Sequence, residues 1–284
     1  MSDRYAVIGN PVAHSKSPLI HAAFARETDQ HLTYGRLLAP LDGFADEVAR
    51  FAATGGRGLN VTVPFKLEAF ALAHECTERA RRAGAVNTLK RVDDRWYADN
   101  TDGAGLVHDL IENLGVTLTG KHIIVLGAGG AARGILQPIL DAHPAAITIA
   151  NRTLAKGEAL AQEFARYGPI RAIAPADLSS VASEVHHVAD VVINATSYGM
   201  ADRPLGAVPW PAAIFAPTTF AYDLVYALAD EPTPFMRLAR EGGAVHMADG
   251  LGMLIEQAAE SFFLWRGVRP GTAHVFPLLR KLAA

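Results

Sequence analysis

Two residues in the first part of the chain have side chains that could carry a proton in a reaction. The segment NVTVPFK, at positions 60–66, ends in Lys66, and the segment DNTDG, at 99–103, supplies Asp102. When a carbinol carbon is oxidised or a ketone is reduced, a lysine or an aspartate can take or give the hydroxyl proton. From the residues alone, a surface lysine after a turn and an aspartate that caps a helix explain the same pattern.

The other polar residues nearby suit the binding of a small polyhydroxylated ligand. Hydroxyls and amides can donate to and accept from each ring hydroxyl, and a site built from them rejects analogues that lack a hydroxyl. The segments NPVAHSKSP, NVTVPFK and GAVNTL supply the candidates Ser15, Ser17, Asn60, Thr62 and Asn87. Strand alternation would put Asn60 and Thr62 on one face. Ser17, which precedes Pro18, is also explained as a helix cap.

A glycine-rich turn in the middle of the chain predicts a dinucleotide site. The segment KHIIVLGAGGAARGILQPIL has the pattern of a strand, a glycine turn and a helix, and Gly127, Gly129 and Ala132 have the spacing of the fingerprint. The first glycine permits the tight turn, the second permits close approach of a pyrophosphate, and the small residue lets helix and strand pack. A tight turn without a ligand is the alternative, which the flanking strand and helix disfavour.

The end of the next strand predicts NADP rather than NAD. An NAD site usually presents Asp or Glu there to the ribose hydroxyl, whereas this chain has Asn151, Arg152 and Thr153. A carboxylate would repel a 2′-phosphate, and a guanidinium group can form a bidentate pair with it. Thr153 is also explained as a helix N-cap, and Lys156 either adds positive charge or is a solvated surface lysine.

Short β-branched runs alternate with longer amphipathic stretches, and this alternation predicts α/β layers with largely parallel sheets. Residues 103–115 predict a helix that ends at Gly115 and has one apolar face, made of Leu106, Val107, Leu110, Ile111 and Leu114. A last helix is predicted at Leu251–Arg266. We predict strands near Tyr5–Ile8, Thr33–Leu38, Gly58–Val63, Thr88–Val92, 145–150, Val191–Asn194 and Thr219–Leu224.

Length and composition predict a globular protein of two domains that acts on a small molecule. A chain of 284 residues suits two domains of ~100–200 residues, and a net charge of -3 without a basic patch argues against a nucleic-acid partner. The single Cys76 can form neither an internal disulfide nor a zinc cluster. We therefore expect a cytoplasmic location and no bound metal. The chain has no export signal and no apolar run near ~18 residues, so we expect no membrane partner.

Eight separated segments together resemble the bacterial shikimate dehydrogenase family, in its order and at about its spacing over nearly the full length. They are GNPVAHSKSP, NVTVPFK, AGAVNTL, DNTDG, GAGGAARG, NRT, NATSYGM and ADGLGMLIEQAA. The resemblance implies an NADP-dependent oxidoreductase that interconverts 3-dehydroshikimate and shikimate in aromatic amino acid biosynthesis. It implies an α/β substrate domain at 1–103, completed by C-terminal helices at 250–284, a Rossmann-type NADP domain at 104–249, and a cleft between them.

The resemblance also implies roles for individual residues. Lys66 exchanges the proton of the ring oxygen, and Asp102 orients and tunes the lysine. The implied substrate contacts are Ser15, Ser17, Asn60, Thr62, Asn87, Tyr226 and Gln257. The implied NADP contacts are Gly127, Ala128, Gly129, Gly130, Ala131, Asn151, Arg152, Thr153, Thr196, Ser197, Leu224 and Gly250.

Two residues depart from the family pattern, and two other functions compete with the one it implies. Leu224 stands where Met is expected and Tyr198 replaces a small residue, which bears on the shape of the cofactor pocket. A quinate or dual quinate/shikimate dehydrogenase would accept either cofactor, and Arg152 and the serine pair disfavour it. A catalytically silent sensor of NADPH or shikimate would be expected to lack Lys66 or Asp102. The sequence leaves open a monomer or a homodimer.

Overall fold

The computed structural model describes residues 2–179, 189–196, 198, 210–227 and 231–281. The chain forms two compact units. Met1–Leu106 and Leu254–Lys281 make up the first unit, and Val107–Met253 makes up nearly all of the second. Each unit has its own sheet and its own buried apolar cluster.

The described strands are two to seven residues long, and several of them are buried along most of their length. The strands are β1 (Asp3–Gly9), β2 (Leu32–Leu38), β3 (Gly56–Val61), β4 (Glu75–Cys76), β5 (Thr88–Val92), β6 (Arg95–Asp99), β7 (His122–Leu126), β8 (Ala146–Ala150), β9 (Ile170–Ile173), β10 (Val191–Asn194), β11 (Phe220–Asp223) and β12 (His246–Ala248).

Helices alternate with the strands along most of the chain. They are α1 (Ser17–Glu27), α2 (Phe44–Ala53), α3 (Lys66–Leu72), α4 (Glu78–Ala83), α5 (Asp102–His108), α6 (Gly130–Asp141), α7 (Leu154–Phe164), α8 (Pro234–Glu241), α9 (Leu251–Arg266) and α10 (Val275–Lys281). A π-helical turn at Asp109–Asn113 continues α5. Short 3-10 turns lie at Ala165–Tyr167, Pro175–Asp177 and Ala212–Ile214.

The sheet of the first unit is mixed, and its order brings three chain segments to one edge. The order is β2-β1-β3-β5-β6-β4. β1 runs parallel to β2 and β3, whereas β5 runs antiparallel to both β3 and β6. Asn60 at the end of β3 and Asp99 at the end of β6 therefore both pair with Thr88, the first residue of β5. The polar segments that the sequence separates by tens of residues meet at this edge.

The sheet of the second unit is parallel throughout its described strands, in the order β12-β11-β10-β7-β8-β9. The chain winds outward in one direction from β7 to β9 and then returns to begin β10 on the other side of β7. This is the doubly wound order, in which ligands bind beyond the carboxyl ends of the strands where the winding reverses. The glycine turn follows β7, at that point of reversal.

The helix predicted at 103–115 is partly wrong. The α-helix ends at His108, and the wider π turn that follows changes the direction of the later side chains. Leu106 and Leu110 are buried as expected, but Ile111 and Leu114 are exposed. Gly115 has a φ of 67°, the left-handed conformation that was expected at the end of the helix.

The predicted strands are present. Those at Thr88–Val92 and Val191–Asn194 have the predicted bounds, and the ends of the others differ by one or two residues. The strand predicted at Gly58–Val63 occupies Gly56–Val61, so Thr62 follows it and strand alternation does not fix the side on which Thr62 lies. β4, β6, β9 and β12 were not predicted; β4 and β12, with two and three residues, are too short to show a period. The helix at Leu251–Arg266 has the predicted bounds. Among the described residues, no helix is both long and apolar enough to cross a membrane.

Gly105 lets α5 approach α9 closely in the first unit. A Cβ atom at Gly105 would lie 2.5 Å from the backbone nitrogen of Gln257 and 2.9 Å from its Cα. We expect Gly105→Ala to lower the free energy of unfolding by about 1–3 kcal/mol, because backbone cannot move aside as a flexible side chain can. Urea unfolding followed by circular dichroism measures the change.

Gly35→Ala is the matched control in the same unit. A Cβ atom there would meet nothing within 4 Å, so we expect a change of less than about 0.5 kcal/mol. Equal effects of the two substitutions would contradict the close packing of α5 on α9.

Candidate active site

Lys66 and Asp102 form an ion pair in the first unit. Lys66 begins α3 and Asp102 begins α5, and Lys66 Nζ donates to Asp102 Oδ2. The two side chains are 19% and 8% exposed, so the pair is largely shielded from water and its attraction is stronger than that of a surface pair. Lys66 is therefore not a freely solvated lysine, and the Asp102 carboxylate binds side chains of the site.

Asn87 holds the second carboxylate oxygen of Asp102. Its Nδ2 donates to Asp102 Oδ1 over 2.8 Å, and its Oδ1 accepts the backbone N–H of Thr101 over 2.8 Å. These bonds fix which end of the amide faces the carboxylate. Gln257, on α9, is in the same cluster, since its Oε1 lies 3.3 Å from Asn87 Nδ2.

A buried group of hydroxyls links Asn87 to Asn60. Thr88 Oγ1 donates to Asn87 Oδ1 over 3.0 Å and lies 2.8 Å from Ser261 Oγ. Asn60 Nδ2 donates to Ser261 Oγ over 2.9 Å and to Thr88 Oγ1 over 3.2 Å. Thr101 Oγ1 lies 3.3 Å from Ser261 Oγ. Thr88, Thr101 and Ser261 are fully buried, so each polar atom must find its partner inside the protein.

The serine pair lies at the start of α1. Ser15 Oγ donates to Ser17 Oγ over 3.2 Å and accepts the Ser17 N–H over 3.3 Å. Ser17 is the first helical residue, preceded by Lys16 at the cap position, and among the described residues no side chain caps this helix. The interpretation of Ser17 as the helix cap is therefore wrong, and its side chain is bonded instead to Ser15.

Other residues of the segment at 99–103 hold the backbone that carries Asp102. Asn100 Oδ1 accepts the backbone N–H of Asp102 over 3.1 Å, and Asn100 Nδ2 donates to the carbonyl of Ala85 over 3.0 Å. Asp99 forms an ion pair with Arg79. Thr62 is half-buried in the turn after β3, where its backbone N–H donates to Ile8.

In the second unit, the glycine turn leaves an open cradle at the start of α6. Gly127 has a φ of 103°, a conformation that favours glycine, and its N–H donates to the carbonyl of Ala150 over 2.8 Å. A Cβ atom at Gly129 or Gly130 would meet nothing within 4 Å. Among the described residues no side chain caps α6, so its first amide groups are available to an anion such as a pyrophosphate.

The segment Asn151, Arg152 and Thr153 follows β8. Asn151 Nδ2 donates to the carbonyl of Thr153 over 2.7 Å, which closes the turn into α7. Thr153 occupies the N-cap position of α7, and no side chain in the described ranges makes the capping bond. Arg152 is exposed, and the described part of the chain offers it no ion pair.

Polar residues at the ends of β10 and β11 are joined in one buried cluster. Asn194 Oδ1 accepts from Thr196 Oγ1 over 2.6 Å, and Asn194 Nδ2 donates to Asp223 Oδ1 over 2.8 Å. Asp223 Oδ2 accepts from Thr233 over 2.6 Å. Burial raises the pKa of Asp223 to about 7, against these donors, which favour the ionised form.

The remaining predicted residues of the second unit lie beside this cluster or outside the described residues. Gly250 packs on the backbone of Leu224, since a Cβ atom would lie 2.3 Å from the Leu224 carbonyl oxygen. Tyr226 is half-buried, and burial raises the pKa of its hydroxyl. Tyr226 belongs to the second unit, whereas the other predicted substrate contacts belong to the first. Ser197 lies outside the described residues.

The sequence reasoning missed several polar residues that complete the first cluster. Thr88, Thr101 and Ser261 join the predicted amides, and Tyr34 and His21 both bond to Asn60 Oδ1. One available signal was Ser261, a hydroxyl in the apolar run of α9. In the described ranges, no group of three or more His, Cys, Asp or Glu residues could hold a metal ion. The first unit thus offers a lysine–aspartate pair surrounded by neutral hydrogen-bonding groups, and the second offers an anion cradle.

Three family profiles match successive parts of the chain. Residues 7–89 match the shikimate dehydrogenase substrate binding domain, 109–201 match shikimate / quinate 5-dehydrogenase, and 250–275 match the shikimate 5'-dehydrogenase C-terminal domain.

Curated proteins and solved structures are similar over nearly the full length. The NADP(+) shikimate dehydrogenase of Aromatoleum aromaticum is 55% identical over 98% of this chain and 97% of its own. That of Chromobacterium violaceum is 52% identical over 100% of both chains. An Ael1 enzyme from Pseudomonas putida has a TM-score of 0.87 and 47% identity over 98% of both chains. Shikimate 5-dehydrogenase from Thermus thermophilus, solved with NADP(H) and shikimate, has a TM-score of 0.85 and 33% identity, over 99% of this chain and 100% of that one.

His21 makes the stability of the protein sensitive to acid. Burial lowers the pKa of His21 to about 3, below the ~6.5 of an exposed histidine, and the hydrogen bond to Asn60 only partly opposes this. As the pH falls from about 6.5 towards 3, the unfolded chain takes up a proton that the folded chain refuses. The contribution of His21 to stability is therefore full above that window and falls within it, by about 2 kcal/mol at pH 5.

We expect His21→Phe to flatten this pH dependence, because phenylalanine takes up no proton in either state. The urea midpoint between pH 7.5 and pH 5 measures it, and the exposed His31, replaced by Phe, is the control. A drop as steep in His21→Phe as in the unchanged protein would contradict a neutral buried His21.

Proposed function

The chain belongs to the shikimate dehydrogenase family, and on that basis we propose that it interconverts 3-dehydroshikimate and shikimate with NADP as cofactor. The ion pair between Lys66 and Asp102 is the observation that carries the proposal. It provides a proton donor within a cluster of neutral amides and hydroxyls, which suits a ring that carries several hydroxyl groups. We assign the first unit to the substrate and the second to NADP.

Lys66 handles the proton of the reacting oxygen. In the direction of reduction, bound NADPH supplies the hydride. Lys66 Nζ gives a proton to the oxygen as the carbonyl becomes a hydroxyl, and in the direction of oxidation it takes that proton back. Asp102 Oδ2 keeps the ammonium group in place. Asn87 donates to Asp102 Oδ1 and so prevents the carboxylate from rotating.

The substrate contacts are proposed from the same cluster. Its members present both donors and acceptors, which a hydroxylated acid requires on several sides. Tyr226 is proposed as a further contact on family grounds alone. The proposed set is Ser15, Ser17, Asn60, Thr62, Asn87, Tyr226 and Gln257.

The residues of the second unit fit NADP. The open space at Gly129 and Gly130 leaves room for a pyrophosphate beside the free amides of α6, and the exposed guanidinium of Arg152 is available to the 2′-phosphate. Thr196, Leu224 and Gly250 lie together beyond β10 and β11. The proposed set is Gly127, Ala128, Gly129, Gly130, Ala131, Asn151, Arg152, Thr153, Thr196, Leu224 and Gly250, and Ser197 stays a prediction.

A dual quinate/shikimate dehydrogenase is the second candidate, because the profile at 109–201 describes both substrates. The serine pair and Arg152 favour shikimate and NADP. We also propose a cytoplasmic location, on the single Cys76. A monomer or a homodimer stays a prediction.

Steady-state kinetics test the function directly. The absorbance of NADPH is followed with shikimate and NADP. Quinate then replaces shikimate, and NAD replaces NADP. Turnover with shikimate and NADP that greatly exceeds the other combinations supports the proposal. Comparable turnover with quinate and NAD supports the second candidate, and tight binding without turnover supports a sensor.

We expect Lys66→Ala to reduce kcat by several orders of magnitude, because the reacting oxygen loses its proton donor, while shikimate binding stays measurable by calorimetry. Lys121→Ala is the control, since Lys121 also pairs with an aspartate, Asp190, in the second unit. Turnover of Lys66→Ala equal to that of Lys121→Ala would remove Lys66 from the mechanism.

We expect Arg152→Ala to raise the Kd for NADP about 10- to 100-fold and to change the Kd for NAD little, because only NADP carries the 2′-phosphate. Fluorescence titration with each cofactor measures both constants. The exposed Arg240, in the same unit, is replaced by alanine as a control. Equal weakening for the two cofactors would contradict a phosphate contact.

A further inference from the structure

We propose that Tyr34 is a positioning residue for the substrate, because its hydroxyl holds the amide of Asn60 in one orientation. Asn60 is a proposed substrate contact, so the inference rests on the proposed function. Tyr34 Oη donates to Asn60 Oδ1 over 2.7 Å. No role for Tyr34 follows from the chemistry of the reaction itself, since it is bonded to neither Lys66 nor Asp102.

The Tyr34 ring packs against two aromatic neighbours. It stacks on His21 with the ring centroids 4.3 Å apart and the planes 8° from parallel, and its centroid lies 6.2 Å from that of Trp265. His21 is fully buried and is itself 6.2 Å from Phe262. A ring packed against aromatic neighbours in this way has little freedom to turn, so the position of its hydroxyl is well defined.

The hydrogen bonds around Tyr34 have one direction. Asn60 Oδ1 can only accept, and it takes the single hydrogen of the Tyr34 hydroxyl as well as an N–H of His21, 3.1 Å away. Asn60 Oδ1 therefore accepts two hydrogen bonds from side chains whose rings are stacked on each other.

This direction fixes the orientation of the Asn60 amide. With Oδ1 towards Tyr34 and His21, Nδ2 must face Ser261 and Thr88, as it does at 2.9 and 3.2 Å. Removing the Tyr34 hydroxyl would leave Asn60 Oδ1 with one donor instead of two. Substrate affinity should fall, because the Asn60 amide would have to be ordered when the substrate binds.

The test compares Tyr34→Phe with Tyr5→Phe. Both substitutions remove one hydroxyl from a ring of the first unit that lies near Trp265, but the Tyr5 hydroxyl bonds to Arg266. For Tyr34→Phe we expect a roughly five- to tenfold higher KM and Kd for shikimate, from the loss of one neutral hydrogen bond, with kcat changed less than about threefold and the KM for NADP unchanged. For Tyr5→Phe we expect no change in any of these.

A thermodynamic cycle shows whether Tyr34 acts through Asn60. If it does, Asn60→Ala and Tyr34→Phe combined weaken shikimate binding by less than the product of the two separate effects. A Kd for shikimate that is the same in Tyr34→Phe and the unchanged protein overturns the inference, as does a loss confined to kcat.

The proposed function fails by a different result. An unchanged protein that binds shikimate but does not oxidise it overturns the proposed reaction, while the calorimetric comparison of Tyr34→Phe with Tyr5→Phe still decides the role of Tyr34. An unchanged protein that does not bind shikimate overturns both.

Discussion

Both carboxylate oxygens of Asp102 are bonded, one to the ammonium group of Lys66 and the other to the amide of Asn87. A charge that is almost completely shielded from water needs this balance, because removing one partner of a buried pair leaves an uncompensated charge that costs several kcal/mol. The need for hydrogen-bond partners then extends to the residues around the ion pair. Asn87 must be oriented by Thr101 and Thr88, so one ion pair explains why a neutral polar cluster extends through the interior of the first unit.

The second unit has to bind a negatively charged ligand rather than to hold a buried ion pair. A dinucleotide presents phosphates, so what matters at the glycine turn is backbone N–H groups and empty space, which Gly129 and Gly130 leave open. The side chains nearby serve to hold the loops after the strands. Asn194 links Thr196 to Asp223, and the buried carboxyl group of Asp223, with its raised pKa, ties these loops to Thr233.

Local chemistry predicted some features without any knowledge of the fold. The glycine turn after β7 was predicted because a tight strand-to-helix turn demands particular residues at fixed offsets, and the helix at Leu251–Arg266 because its apolar spacing is long and uninterrupted. The helix at 103–115 was predicted only in part. A π turn is a single inserted residue in the helical ladder, and its effect on Ile111 is not visible in a pattern with a period of 3.6.

The sequence by itself determined the α/β alternation and the nucleotide turn, since each follows from residue types at short spacing, and it offered Lys66 and Asp102 as candidates for proton transfer. Only the tertiary structure decided that β3, β5 and β6 meet at one edge and that Tyr34 and Ser261 join the site. Those contacts link residues up to 201 positions apart. Such pairs are set by strand order and helix packing, which no local pattern records.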